Sequence, residues 1–249
     1  MIPKIIHFCW ISGDPYPPLI DHCIRSWHTI MPDYQFMLWD KRKVEELASG
    51  WVNQACQHKK YAFVADYVRC YALSHFGGIY LDADVEVLKR FDDLLTQQSF
   101  IGYDSTGAIE AAIIGAEPHC TWVQKALEYY NDREFVKSDG SFDMSPIPRM
   151  ISTTLHQCFN FQDQPSHIQS LSELTLYPAD YFSPKNYQTS RVQISPDTYT
   201  IHHFDGQWID QTFKNKAKRV FHQIIYKTLG EQVHNKTTRM IRVLKKKIR

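Results

Sequence analysis

The densest chemistry in the chain lies in the segment GGIYLDADVEV, residues 77–87. Asp82 and Asp84 stand in D-x-D spacing at the end of a short hydrophobic run. On an extended backbone such a pair projects to one face; if the chain turns there, the two carboxylates converge on a cation. Hard oxygen donors suit Mg²⁺ or Mn²⁺, ions that commonly bridge a diphosphate. Alone, a three-residue acidic motif is frequent by chance and reads equally well as two exposed acids in a turn. Upstream, Asp66 and Arg69 are three residues apart in an apolar-flanked stretch, so on a helix they share one side. They form either a local ion pair worth a few tenths of a kcal/mol or part of a cleft where Arg69 forks onto phosphate oxygens. Tyr80 stands two residues before Asp82, and His202-His203 offer imidazoles suited to Mn²⁺. A strand-borne His pair is otherwise one buried and one exposed residue. Trp10 closes the first apolar run, where composition alone gives a core tryptophan.

The elements that must carry these residues follow an α/β rhythm. Residues 4–11 (KIIHFCWI) predict a buried strand ended by Gly13, Pro15, Pro17 and Pro18. Leu19, Cys23, Ile24 and Trp27 recur at helical spacing, predicting a helix over 18–30; a strand over 34–39 and a short helix over 41–48 follow. A helix over 61–75 carries Phe63, Val64, Tyr67, Val68 and Tyr71 along one stripe and stops at Gly77-Gly78. Residues 79–81 form a strand that delivers the acids to its carboxyl end, where parallel α/β sheets bind ligands. Later strands are expected over 100–103, 111–115, 174–177 and 199–204, and helices over 119–131 and 147–158. Residues 132–146 and PADYFSP read as loop and turn, and most of 209–248 as helical in pattern. The expected fold is α/β, with a mostly parallel central sheet flanked by helices. One domain spans 1–213 and a basic tail spans 214–249.

Composition narrows the function classes. Hydrophobic residues make up 43% and charged residues 22%, a balance that excludes disorder and collagen. No apolar run is long enough to cross a membrane, and MIPKIIHFCW lacks a signal peptide's apolar stretch, so secretion is not expected. The six cysteines show no CxxC pair and no zinc spacing; among apolar neighbours they are expected buried and reduced, as suits the cytoplasm. The net charge of +1 conceals an asymmetry. Residues 214–249 hold 12 Lys and Arg against one acid, Glu231, for +11, whereas residues 1–213 hold 16 bases and 26 acids, for −10.

Taken in order, IPKIIHFCWISG, YAFVADYVRCYALSHFGGIYLDADV, YPADYFSP and IHHFDGQW resemble the motif series of glycosyltransferase family 32, the sugar-binding-region D-x-D proteins. That family includes capsular polysaccharide transferases and mannosyltransferases, and is similar to the glucosyltransferase domains of large clostridial toxins. The motifs span residues 2–208. The resemblance implies a GT-A nucleotide-sugar-binding fold, a UDP- or GDP-sugar donor, a divalent metal (Mn²⁺ or Mg²⁺), and transfer with retention to a saccharide acceptor. Residue by residue it implies that Trp10 stacks on the nucleobase and that Asp66 and Arg69 hold donor sugar hydroxyls. Tyr80 would contact the donor, and Asp82 would face ribose and sugar hydroxyls beside the metal. Asp84 would ligate the metal directly, with one of His202 and His203, here His203, completing its shell. Trp208 would close over the diphosphate. Two departures stand out: Gln207 occupies the place of a phosphate-binding Ser, and Ala111 lies where an Asn often stands.

A basic stretch with Met240, Ile241, Val243, Leu244 and Ile248 on one side predicts either attachment to an anionic membrane or a solvated helix packed on the body. Nucleic acid is not an expected partner, because the acidic body repels phosphate and no nucleic-acid motif appears. The sequence therefore predicts a cytoplasmic, peripherally membrane-bound, metal-dependent glycosyltransferase for capsule or other surface polysaccharide. A lipid-linked saccharide fits as acceptor, its contacts coming from residues 104–110 and 132–146. The alternatives are a catalytically silent nucleotide-sugar-binding protein, which Gln207 favours, and a nucleotide-sugar hydrolase. Oligomeric state leaves no trace in the sequence.

Overall fold

A computed structural model describes residues 1–205. In chain order the elements are β1 (Ile5–Cys9), α1 (Pro18–Ile30), β2 (Gln35–Trp39), α2 (Lys41–Glu45), α3 (Gly50–Gln57), α4 (Tyr61–Phe76), β3 (Gly78–Leu81) and β4 (Val85–Val87). There follow β5 (Ser99–Tyr103), β6 (Ile109–Ala116), α5 (Thr121–Glu128), α6 (Ile147–Cys158), β7 (Gln169–Ser170), β8 (Thr175–Tyr177), α7 (Ala179–Phe182) and β9 (Thr200–His202). The central sheet has seven strands in the order β2-β1-β3-β6-β5-β8-β7. Five run in one direction, while β6 and β7 are reversed by antiparallel pairing. A separate two-stranded sheet joins β4 to β9. This is the mixed α/β arrangement expected of a GT-A nucleotide-sugar-binding fold.

Two apolar layers cover the two faces of the central sheet. On one face, α3, α4, α5 and α6 pack through Trp51, Val64, Val68, Trp122, Ile151 and their neighbours. On the other lie α1, β4 and α7, through Ile20, Trp27, Val85 and Phe182. α1 forms where the spacing requires: a proline opens it and Ile20, Cys23, Ile24 and Trp27 bury one stripe. The helix expected over 41–48 is shorter, because Ser49 accepts a hydrogen bond from the Val52 N–H at 3.4 Å and restarts the chain as α3. PADYFSP contains the four-residue helix α7. The strand expected over 199–204 is three residues long, and it pairs with β4, which local pattern left unread.

The junction that carries the acids is tightly built. Gly77 and Gly78 have φ values of +62° and +103°, and a Cβ on Gly78 would lie 2.6 Å from the Ile5 carbonyl oxygen. His7, fully buried on β1, reaches the same turn: its Nε2 lies 2.8 Å from the Gly77 carbonyl and its Nδ1 accepts the Trp39 indole N–H at 3.3 Å. All six cysteines are free; Cys23, Cys70 and Cys120 are buried, whereas Cys9, Cys56 and Cys158 are partly exposed rather than buried as expected. Among the described residues no helix is long and apolar enough to cross a membrane. Gln207, Trp208, the boundary at residue 213 and the basic tail lie outside the described residues.

Candidate functional site

The D-x-D acids leave the carboxyl end of β3 and turn at once. The Val85 N–H donates to the Asp82 carbonyl at 3.0 Å, so Asp82–Val85 is a tight turn and the carboxylates converge instead of continuing along a strand. β4 then pairs antiparallel with β9, setting Val85 opposite His202. That register brings His202 to the acids: its Nε2 lies 3.4 Å from Oδ1 of Asp84. Ligand atoms of Asp82, Asp84 and His202 all fall within 4.8 Å of one another. Two carboxylates and an imidazole at this spacing fit a borderline-hard divalent ion such as Mn²⁺.

Arg69 supplies the second half of the site. Its Nη2 donates to Oδ1 of Asp82 at 2.7 Å and lies 3.7 Å from Oδ1 of Asp66, while its Cζ sits 4.6 Å from the centre of the Tyr80 ring. Arg69 is only 3% exposed, and its Nε has no hydrogen-bond partner. A buried guanidinium is retained only with such charge partners, and the ring face below adds cation–π attraction. Tyr80, 1% exposed, supports Arg69 from beneath.

The electrostatics follow from burial and charge. Burial pushes the Asp66 carboxyl up to about 7 against the pull of Arg69. Burial also raises Asp82, outweighing Arg69 and His202. For Asp84, burial acts upward but is overcome by the charge and hydrogen bond of His202 and by the Asp205 N–H, donated at 2.8 Å; the carboxyl is held at about 2. Burial lowers His202, but Glu110 and Asp84 outweigh it and raise it well above the ordinary imidazole value. To ligate a cation through Nε2 the ring must give up that proton.

Not every expected residue joins the cluster. His203 points elsewhere: its Nε2 lies 2.9 Å from Oε2 of Glu86, whose other oxygen is 3.1 Å from Nε2 of His22. β9 ends at His202, and the next residue, His203, turns its side chain toward Glu86, so His202 and not His203 stands beside the acids. Trp10 lies just past β1, at the same sheet edge as the acids, since β1 pairs with β3 through His7 and Tyr80. It is partly exposed, its ring edge-on to Tyr16 at 5.1 Å and its indole N–H bound to the Asp14 carbonyl at 2.7 Å. Glu110 was not anticipated: it sits on β6, buried, with Oε2 3.2 Å from Nδ1 of His202. The available signal was an acid inside an otherwise apolar strand, IEAAIIGA, next to the missing Asn.

Residues 17–101, the stretch bearing Asp66, Arg69, Asp82 and Asp84, match the family described as "Glycosyltransferase sugar-binding region containing DXD motif". Over this stretch the chain is similar to the DXD glycosyltransferases. The match is narrower than the motif series over residues 2–208, and leaves His202 and Glu110 outside it. Among curated relatives, the chain is 29% identical over 132 residues to mannosyl phosphorylinositol ceramide synthase SUR1 of Saccharomyces cerevisiae, covering 51% of this chain and 34% of that protein. It is 31% identical over 118 residues to inositol phosphoceramide mannosyltransferase 3 of Schizosaccharomyces pombe, covering 46% of this chain and 33% of that protein. The aligned region thus spans about a third of the length of these relatives. Among solved structures, PaToxG glycosyltransferase aligns with a TM-score of 0.47 at 20% identity, covering 64% of this chain and 70% of that one.

Proposed function

We propose that this chain transfers a sugar from a UDP- or GDP-sugar to a hydroxyl of a saccharide or polyol acceptor, with retention of configuration. The observation that carries this is the convergence of Asp82, Asp84 and His202 within 4.8 Å, with Arg69 fixed beside them on Asp82. A divalent ion held by these three residues would supply positive charge for the diphosphate of the donor. Breaking the bond between sugar and diphosphate leaves negative charge on phosphate and positive character at the anomeric carbon. Arg69, held rigidly by Asp82, Asp66 and Tyr80, stabilises the departing phosphate without reorganising. Asp66 receives sugar hydroxyls, and Trp10, at the exposed edge, stacks on the base. Trp208 closes over the diphosphate.

The relatives' names point to a mannose donor and an inositol-phosphate lipid as first candidates, and a lipid-linked acceptor suits the basic tail. On this reading the tail over 214–249 holds a cytoplasmic enzyme at the inner face of the membrane, where surface polysaccharide is assembled. The test measures nucleotide diphosphate released from UDP- and GDP-sugars by the full chain, with and without lipid or saccharide acceptors, in Mn²⁺ or EDTA. Acceptor-stimulated release that requires Mn²⁺ is expected. Equal release without acceptor marks a hydrolase, and tight nucleotide-sugar binding with no release marks a silent binding protein.

A further inference from the structure

A neutral imidazole carries one proton, and which nitrogen holds it decides whether the other can offer a lone pair. His202 is flanked on both sides: Nδ1 lies 3.2 Å from Oε2 of Glu110, and Nε2 lies 3.4 Å from Oδ1 of Asp84. Glu110 is itself fixed, because its Oε1 accepts the Ala112 N–H at 2.9 Å. Phe204 packs against the imidazole with ring centres 3.9 Å apart, which limits its rotation. Packing does not call for an acid here: Ala111 and Ala112 follow on the same strand, and a buried carboxylate is tolerated only when hydrogen-bonded. The contact with an imidazole alone would assign nothing, since Glu86 makes similar contacts to His203 and His22. What distinguishes Glu110 is that the far nitrogen of its histidine faces the D-x-D acids.

We infer that Glu110 is a positioning residue that accepts the Nδ1 proton of His202 and aims the Nε2 lone pair at the point shared by Asp82 and Asp84. The inference rests on the reading of that cluster as a divalent-cation site. A carboxylate bound to the outer nitrogen of a ligating imidazole fixes its tautomer and orientation and strengthens it as a donor, and losing such a partner typically costs about 10–100-fold in metal affinity.

The test uses the full chain and Mn²⁺ alone, with affinity read by calorimetry and the ligand set read by nitrogen couplings in pulsed EPR. Wild-type protein is expected to bind Mn²⁺ with a nitrogen coupling. Glu110→Gln, which keeps size and an acceptor oxygen, should bind roughly tenfold more weakly, and Glu110→Ala, losing both, closer to a hundredfold. Circular dichroism identifies which variants are folded; if Glu110→Ala is not, Glu110→Gln decides. Folded variants that bind within twofold of wild type with the coupling intact overturn the proposal. Wild-type binding without nitrogen coupling also overturns it, while leaving an all-carboxylate cation site standing. No Mn²⁺ binding by the wild type defeats both together.

Discussion

At the scale of single residues, the site separates what local spacing reveals from what only a distant pairing can. Asp66, Arg69, Asp82 and Asp84 lie within one helix–turn–strand stretch, so their i,i+3 and D-x-D spacing already set them around one cleft, and the structure joins Arg69 to Asp82 at 2.7 Å. The histidine could not be chosen that way. Adjacency in sequence does not say which of His202 and His203 stands beside the acids, and the answer comes from the pairing of β9, which ends at His202, with β4 across more than a hundred residues. Glu110 is harder still, being an isolated acid in an apolar strand whose meaning lies in a neighbour far along the chain. A contrast between the two histidines follows. His202→Ala should cut Mn²⁺-dependent nucleotide release roughly a hundredfold, as loss of a transition-state charge partner does. His203→Ala, which disturbs only the partly exposed Glu86 contacts, should stay within about threefold. Kinetics of both variants at saturating Mn²⁺ check this; equal losses would remove the assignment of His202.

Among the elements, those with strong local signals were legible: α1 and α6 span the residues that periodicity picks out, and β3 ends on the acids as expected. Those missed are short pieces defined by partners or caps. β4 has three residues and exists through its pairing with β9, and α3 begins at a serine cap inside what looks like one polar stretch. The α4–β3 junction matters most, because it sets where the acids emerge. His7 fastens it as a neutral imidazole, its Nε2–H donating to Gly77 and its bare Nδ1 accepting from the Trp39 indole. Protonation would set an N–H against that indole N–H, and burial, opposed by the Gly77 carbonyl, lowers His7 to about 4. Because the unfolded chain takes this proton first, near 6.5, stability from His7 is complete above that pH and is lost as pH falls from 6.5 through 4. The loss between pH 7 and 4.5 is roughly 2 kcal/mol. His7→Gln, with a donor and an acceptor but no titrating group, should be less stable at pH 7 yet lose less on acidification. Urea unfolding at the two pH values measures this; a wild-type and a variant with the same pH dependence would show that another group carries the acid sensitivity.

For the molecule as a whole, the charge division is what the sequence makes plainest. Residues 1–213 carry −10, and part of that excess is spent in the buried acids around Arg69 and His202, where it is paired rather than projected. The body as a whole still repels an anionic bilayer, so any attraction to one must come from residues 214–249, which carry +11. A basic segment near an anionic leaflet gains about 1 kcal/mol for each Lys or Arg, and the gain decays over a Debye length of about 10 Å at 0.1 M salt. Replacing Lys245, Lys246 and Lys247 together by Gln removes three charges at some distance from the D-x-D cluster in sequence. It should weaken binding to phosphatidylserine-containing vesicles by about 3 kcal/mol, roughly two decades in partition coefficient. Turnover of a water-soluble acceptor should be unchanged, because that reaction needs the cleft but no surface. Vesicle flotation of wild type and triple variant, at low and high salt and with neutral vesicles as control, measures the difference. Salt-insensitive flotation, or equal flotation of the two proteins, would mean that the tail's charge is not what meets the membrane, and a lipid-linked acceptor would then have to be recruited by the cleft alone.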